Sequence, residues 1–126
     1  QRLFEAYETM QAQDVLHLTD AQYPTFLPRM KALQEARRHG TTERARIVAN
    51  LNRLTGPNAQ GDESQIRAEL KALDDADTRT REEVRQAMEA LNQVLDVRQQ
   101  ARFRVFEEQM ERRKMELLMR ARRQQQ

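Results

Sequence analysis

The side chains best suited to proton chemistry near neutrality are two histidines, His17 and His39. Each stands among polar neighbours at the edge of an expected helix, far from the other in sequence, with no nucleophile at a useful spacing. General acid–base work otherwise recruits carboxylates tuned by burial. The pairs Asp74-Asp75 and Glu107-Glu108 are adjacent in sequence, so on a helix they splay apart and read as solvated charge. Ser64 is the only serine and belongs to no serine–histidine–acid set. Cysteine is absent, which excludes disulfides, thiolate metal sites and thiol catalysis together. No glycine-rich phosphate loop is present. The chain therefore reads as a non-enzyme, with no catalytic residue and no cofactor to assign.

Metal and nucleic acid are the next chemistries to weigh. A thioether site needs several methionines to converge. Of the six here, Met30 and Met88 fall on or near helical seams and Met110 on a helix stripe, where methionine is ordinary core. Met115 and Met119 lie one turn apart, a placement that flexible apolar surfaces also use. No histidine has a partner at ligand spacing, so no metal site is predicted. Arginine outnumbers lysine 19 to 3, and nine of the 22 basic residues lie in 97–126. That segment also carries Glu107, Glu108, Glu111 and Glu116 at pairing distances, and it has no recognition motif, so no nucleic-acid partner is expected.

Composition bounds the scaffold. With 126 residues, 38% apolar, 33% charged and 5% aromatic, the chain has one domain's length but too little apolar mass for a thick core. Three glycines, three prolines and few β-branched residues argue against both a flexible linker and a sheet, leaving an all-α chain. No run of about 20 apolar residues exists, so membrane insertion is not expected. The net charge of +2 divides as +2 over residues 1–60, −5 over 61–96 and +5 over 97–126. The opposed charges of the last two segments favour their packing together, within the chain or across a dimer.

Hydrophobic spacing predicts four helices, at about 3–16, 20–54, 62–94 and 97–122. Leu18-Thr19-Asp20-Ala21-Gln22 reads as a helix start with a capping box, in which Thr19 caps the Gln22 amide and the Gln22 side chain reaches back. Leu18 and Tyr23 form the matching staple. Pro24 and Pro28 should make the first two turns irregular. Leu95-Asp96-Val97-Arg98-Gln99 repeats the signal, with Asp96 as the cap and Gln99 three residues on.

Between these two starts run two seams that step alternately by four and three. The first is Phe26, Met30, Leu33, Arg37, Gly40, Arg44, Ile47, Leu51 and Leu54. The second is Ile66, Leu70, Leu73, Asp77, Thr80, Val84, Ala87, Leu91 and Val94. Folded antiparallel about a loop at Gly56–Gly61, they match layer by layer, with Leu51 facing Leu70, Ile47 facing Leu73 and Phe26 facing Val94. The odd layers then place Arg44 opposite Asp77 as a structural pair and Gly40 opposite Thr80. Each helix spans about 45 Å at 1.5 Å per residue, so the prediction is a long hairpin with a weak point at Gly40. The last helix carries Ala101, Phe103, Phe106, Met110, Leu117 and Ala121 on one stripe, with Val105, Met115, Leu118 and Met119 off it. Its apolar face is thus broader than one seam requires, and residues 120–126 should fray.

A helical chain of this length with two Leu-Thr-x-x-Gln elements resembles the Spy/CpxP family of periplasmic stress proteins. The first element matches fully at Leu18, Thr19 and Gln22; the second keeps Leu95 and Gln99 but has Asp96 in place of threonine. Aspartate caps a helix as well as threonine, so the departure touches only the signature. The resemblance implies an elongated four-helix hooked hairpin that dimerises into a curved cradle. It implies ATP-independent chaperone activity in the periplasm, with unfolded or partly folded client proteins held on the concave face. Metal-responsive relatives carry histidine sites or cysteine- and histidine-rich tails, which this chain lacks.

The expected function is accordingly a homodimeric holdase. Its client-binding candidates are Met30, Leu33, Arg37, Phe103, Phe106, Met110, Arg112 and Arg113, a set in which sequence alone does not separate seam from surface. The alternatives are an envelope-stress or metal-responsive regulator that binds one specific partner, and a structural coiled-coil module.

Overall fold

A computed structural model describes residues 2–57 and 61–125. Among the described residues the chain forms four helices and no strand: α1 (Arg2–Leu16), α2 (Tyr23–Thr55), α3 (Glu63–Asn92) and α4 (Val97–Gln124). The all-α, four-helix prediction holds, and each helix end lies within three residues of its expected place. The differences have local causes. Residues 20–22 form a turn in which the Gln22 and Tyr23 amides both donate to the Thr19 carbonyl, so regular helix starts only at Tyr23. The Thr25 and Phe26 amides likewise share the Gln22 carbonyl, which is the irregularity expected around Pro24 and Pro28. At the far end of α3, the Val94 and Leu95 amides bond three residues back, to Leu91 and Asn92, and this tighter turn ends the helix at Asn92. Fraying from Arg120 is not seen: α4 continues to Gln124. Asn58, Ala59 and Gln60, the centre of the expected loop, lie outside the described residues.

The chain divides into two compact units. One comprises residues up to Pro28 and from Leu91 onward, and the other is Arg29–Ala90. In the first, α1 packs along α4. Ala12 and Leu16 of α1, Phe26, Leu91 and Leu95, and Phe103 and Phe106 of α4 are its buried apolar residues. The two α4 rings lie 6.1 Å apart, centroid to centroid, in a tilted contact. Each fully buried leucine or phenylalanine contributes ~1.5–3 kcal/mol.

The second unit is an antiparallel helical hairpin, and its register is the predicted one. The Arg44 Nε lies 3.2 Å from the Asp77 Oδ1. The Arg79 guanidinium donates to the Glu43 carboxylate at 2.6 Å, and Arg29 donates to the Ala90 carbonyl. Gly40 faces Thr80 so closely that a Cβ there would fall 2.6 Å from the Thr80 Oγ1. Gly40 is buried within an unbroken α2, a point of close approach rather than a weak one. Its missing side chain is what leaves room for the Thr80 side chain. Met30, Leu33, Ile47, Leu54, Ala76 and Met88 are buried here, together with the polar Gln34. Two seam assignments shift: Leu70 is 48% exposed, while Ala76, off the predicted seam, is buried.

Candidate functional site

Both helix starts are built as the sequence reads. The Gln22 amide donates to the Thr19 Oγ1 at 3.1 Å, and the Thr19 amide donates to the Gln22 Oε1 at 3.1 Å. The second box is complete as well: the Gln99 amide donates to the Asp96 Oδ1 at 2.8 Å, and the Asp96 amide to the Gln99 Oε1 at 3.0 Å. Sequence reasoning missed the clasp that joins the two boxes. Their glutamine side chains pair with each other, Gln22 Nε2 to Gln99 Oε1 at 2.7 Å and Gln99 Nε2 to Gln22 Oε1 at 3.0 Å. Each side-chain amide then spends its second N–H on a backbone carbonyl near the end of another helix. Gln22 donates to Val94 at 3.0 Å and Gln99 to Leu16 at 3.1 Å. Both donors and both acceptor positions of each amide are thus occupied, which is the condition for burying such a group without penalty. Leu18 is half-buried and Leu95 fully buried beside this clasp. The repeated motif was the available signal, since two like boxes with apolar leaders can meet as a pair.

The remaining predicted site residues separate into core and surface. Met30, Leu33, Phe103 and Phe106 are at most 2% exposed, so as client-binding candidates in this chain they are corrected to core, with no more than an edge left at the surface. Met110 is half-buried, and Arg37, Arg112 and Arg113 are exposed. The Arg44–Asp77 pair forms as expected, with 55% and 33% side-chain exposure, so it lies at the edge of the hairpin seam and remains open to water.

Exposed apolar surface collects on α4. Val105, Met115, Leu117, Leu118 and Met119 are all 44–58% exposed, and every described residue from Glu111 onward is exposed. Basic and apolar residues alternate along one face. Arg98, Val105, Arg112 and Met119 recur at heptad spacing, and all four are exposed. At the N-terminal end of this face a groove of about 330 Å³ runs between α1 and α4. Its lining includes Val15, Arg98, Arg102, Val105, Phe106 and Gln109.

Charge elsewhere is locally paired. On α3 the Lys71 ammonium donates to Asp75 at 2.8 Å, which raises the lysine's pKa by hydrogen bond and charge. Hydrogen bonds from Arg85 and Gln86 hold the Glu82 carboxyl below its ordinary value. Among the described residues no three histidine, cysteine or carboxylate side chains cluster as metal ligands would, and no helix is long and apolar enough to cross a membrane. Comparison of the chain with protein-family models, curated proteins and solved structures returned no match.

Proposed function

We propose that the chain is an ATP-independent holdase-type chaperone, acting as a homodimer in the periplasm, that holds unfolded or partly folded proteins on the outer face of α4. One observation carries this reading. The C-terminal half of α4 keeps methionines and leucines in water, interleaved with Arg112, Arg113, Arg120, Arg122 and Arg123. An apolar patch rimmed by charge is the surface a protein uses to bind another chain. Methionine suits many partners because its thioether side chain adapts to irregular surfaces. Arginine adds electrostatic steering toward acidic chains. The two capping boxes, which carry the resemblance to the Spy/CpxP proteins, support the same reading.

The test is dilution of a chemically unfolded client into buffer without ATP, followed by light scattering. Suppression near one dimer per client, weakening as salt shortens the ~10 Å screening length of 0.1 M buffer, supports the holdase. Unchanged aggregation at a few-fold molar excess overturns it and leaves a role in binding one specific partner.

A further inference from the structure

We infer that the groove between α1 and α4 recognises acidic–apolar segments of a bound chain, with paired carboxylates on Arg98 and Arg102 and an apolar side chain against Val105. The inference rests on the holdase reading and names what that surface selects. Three features of the arginines point to a missing anion. Arg98 is the second residue of α4, in a first turn that holds no acidic residue, where the helix dipole disfavours a cation. Arg102 lies one turn further on, and like charges at that spacing repel. Neither guanidinium has a hydrogen bond or ion pair among the described residues. The acidic group nearest Arg98 in sequence, Asp96, is committed to capping the Gln99 amide. An anionic ligand relieves all three unfavourable placements together.

The groove also has a direction. Arg98 and Arg102 occupy its N-terminal end, and Val105 with the edge of Phe106 continues it, opposite Val15. Side chains four apart on a helix sit ~5–6 Å from each other. Alternate residues of an extended chain lie about 6.5–7 Å apart on one face, so carboxylates two residues apart reach both arginines. An apolar residue further along then meets Val105.

Shape decides between a chain segment and a small molecule. Small-molecule pockets enclose ~70–90% of their ligand. Here Arg98, Ala101, Arg102, Val105 and Gln109 are all exposed, so an occupant keeps one side in water. That suits a peptide passing through.

The test is fluorescence anisotropy of a short labelled peptide, titrated with the intact chain. The peptide carries two glutamates at alternate positions followed by leucine and valine. Saturable binding is expected. It should weaken about tenfold or more in the doubly substituted Arg98→Glu, Arg102→Glu protein and recover when the peptide's glutamates are replaced by lysines. Circular dichroism checks that the variant is folded, and both substitutions lie on exposed positions. Equal binding of the glutamate and lysine peptides to the unaltered chain, or no binding of either, overturns the inference. Aggregation of an unfolded client that carries both acidic and other segments is measured in parallel. Suppression there with no peptide binding sinks the groove and spares the holdase. Peptide binding without suppression does the reverse.

Discussion

Replacing Gln99 by alanine removes an amide that caps its own helix, pairs with Gln22 and donates to the Leu16 carbonyl. Gln99 is 8% exposed, so water cannot readily take over these bonds. The expected loss is ~1–3 kcal/mol, read by urea denaturation. Gln22→Ala should cost a comparable amount, and the double variant less than the sum of the two, because the first substitution already breaks the shared pair. The Arg44–Asp77 bridge differs in kind. Arg44 is exposed and Asp77 partly so, and a double-mutant cycle with alanine should give a coupling within ~0–1 kcal/mol. Each capping box was legible in the sequence, since it is an i, i+3 pattern and the partners are neighbours. The clasp was not, because it joins residues 77 positions apart that only the folded chain brings together.

At the scale of the helices, Gly40 supplies the sharpest prediction. In an open helix Gly→Ala stabilises by roughly 0.5–1 kcal/mol. At Gly40 the added Cβ runs into the Thr80 side chain, so Gly40→Ala should destabilise by ~1–3 kcal/mol. Thr80→Ala in the same chain should restore most of the loss, as thermal melts of the single and double variants would show. On α3, Glu82 has a lowered pKa because Arg85 and Gln86 donate to it. A lowered carboxylate pKa stabilises the fold above the unfolded value of 4.5, and that contribution disappears as pH falls through the folded value. The difference in melting temperature between the unaltered chain and Glu82→Gln should therefore be largest at neutral pH and shrink as the carboxylate is protonated at acid pH. The hairpin register was legible because both seams step by four and three with their polar layers in matching places. What the pattern could not rank was burial within a seam. Leu70 and Leu51 share a predicted layer, yet Leu70 stays 48% exposed while Ile47 and Leu54 on the same hairpin are buried.

For the molecule as a whole, the division between core and surface is what sequence periodicity left open. Phe103, Phe106 and Met110 share a stripe with Leu117, yet only the two phenylalanines are buried, since the residues that cover them stop short of the second half of α4. The surplus apolar width read from α4 is the part that stays in water, and the proposed function depends on it. The proposed dimer is tested by sedimentation equilibrium, where the expected mass is twice that of the 14.9 kDa chain. The central claim is tested most directly by comparing the unaltered chain with one carrying Met115→Ser, Leu118→Ser and Met119→Ser, three exposed positions on one face of α4. Light scattering of a diluted unfolded client, without ATP, reads the comparison. The unaltered chain should suppress scattering, and the triple variant, with unchanged helix content, should lose most of that suppression. Equal suppression by both proteins would contradict that claim.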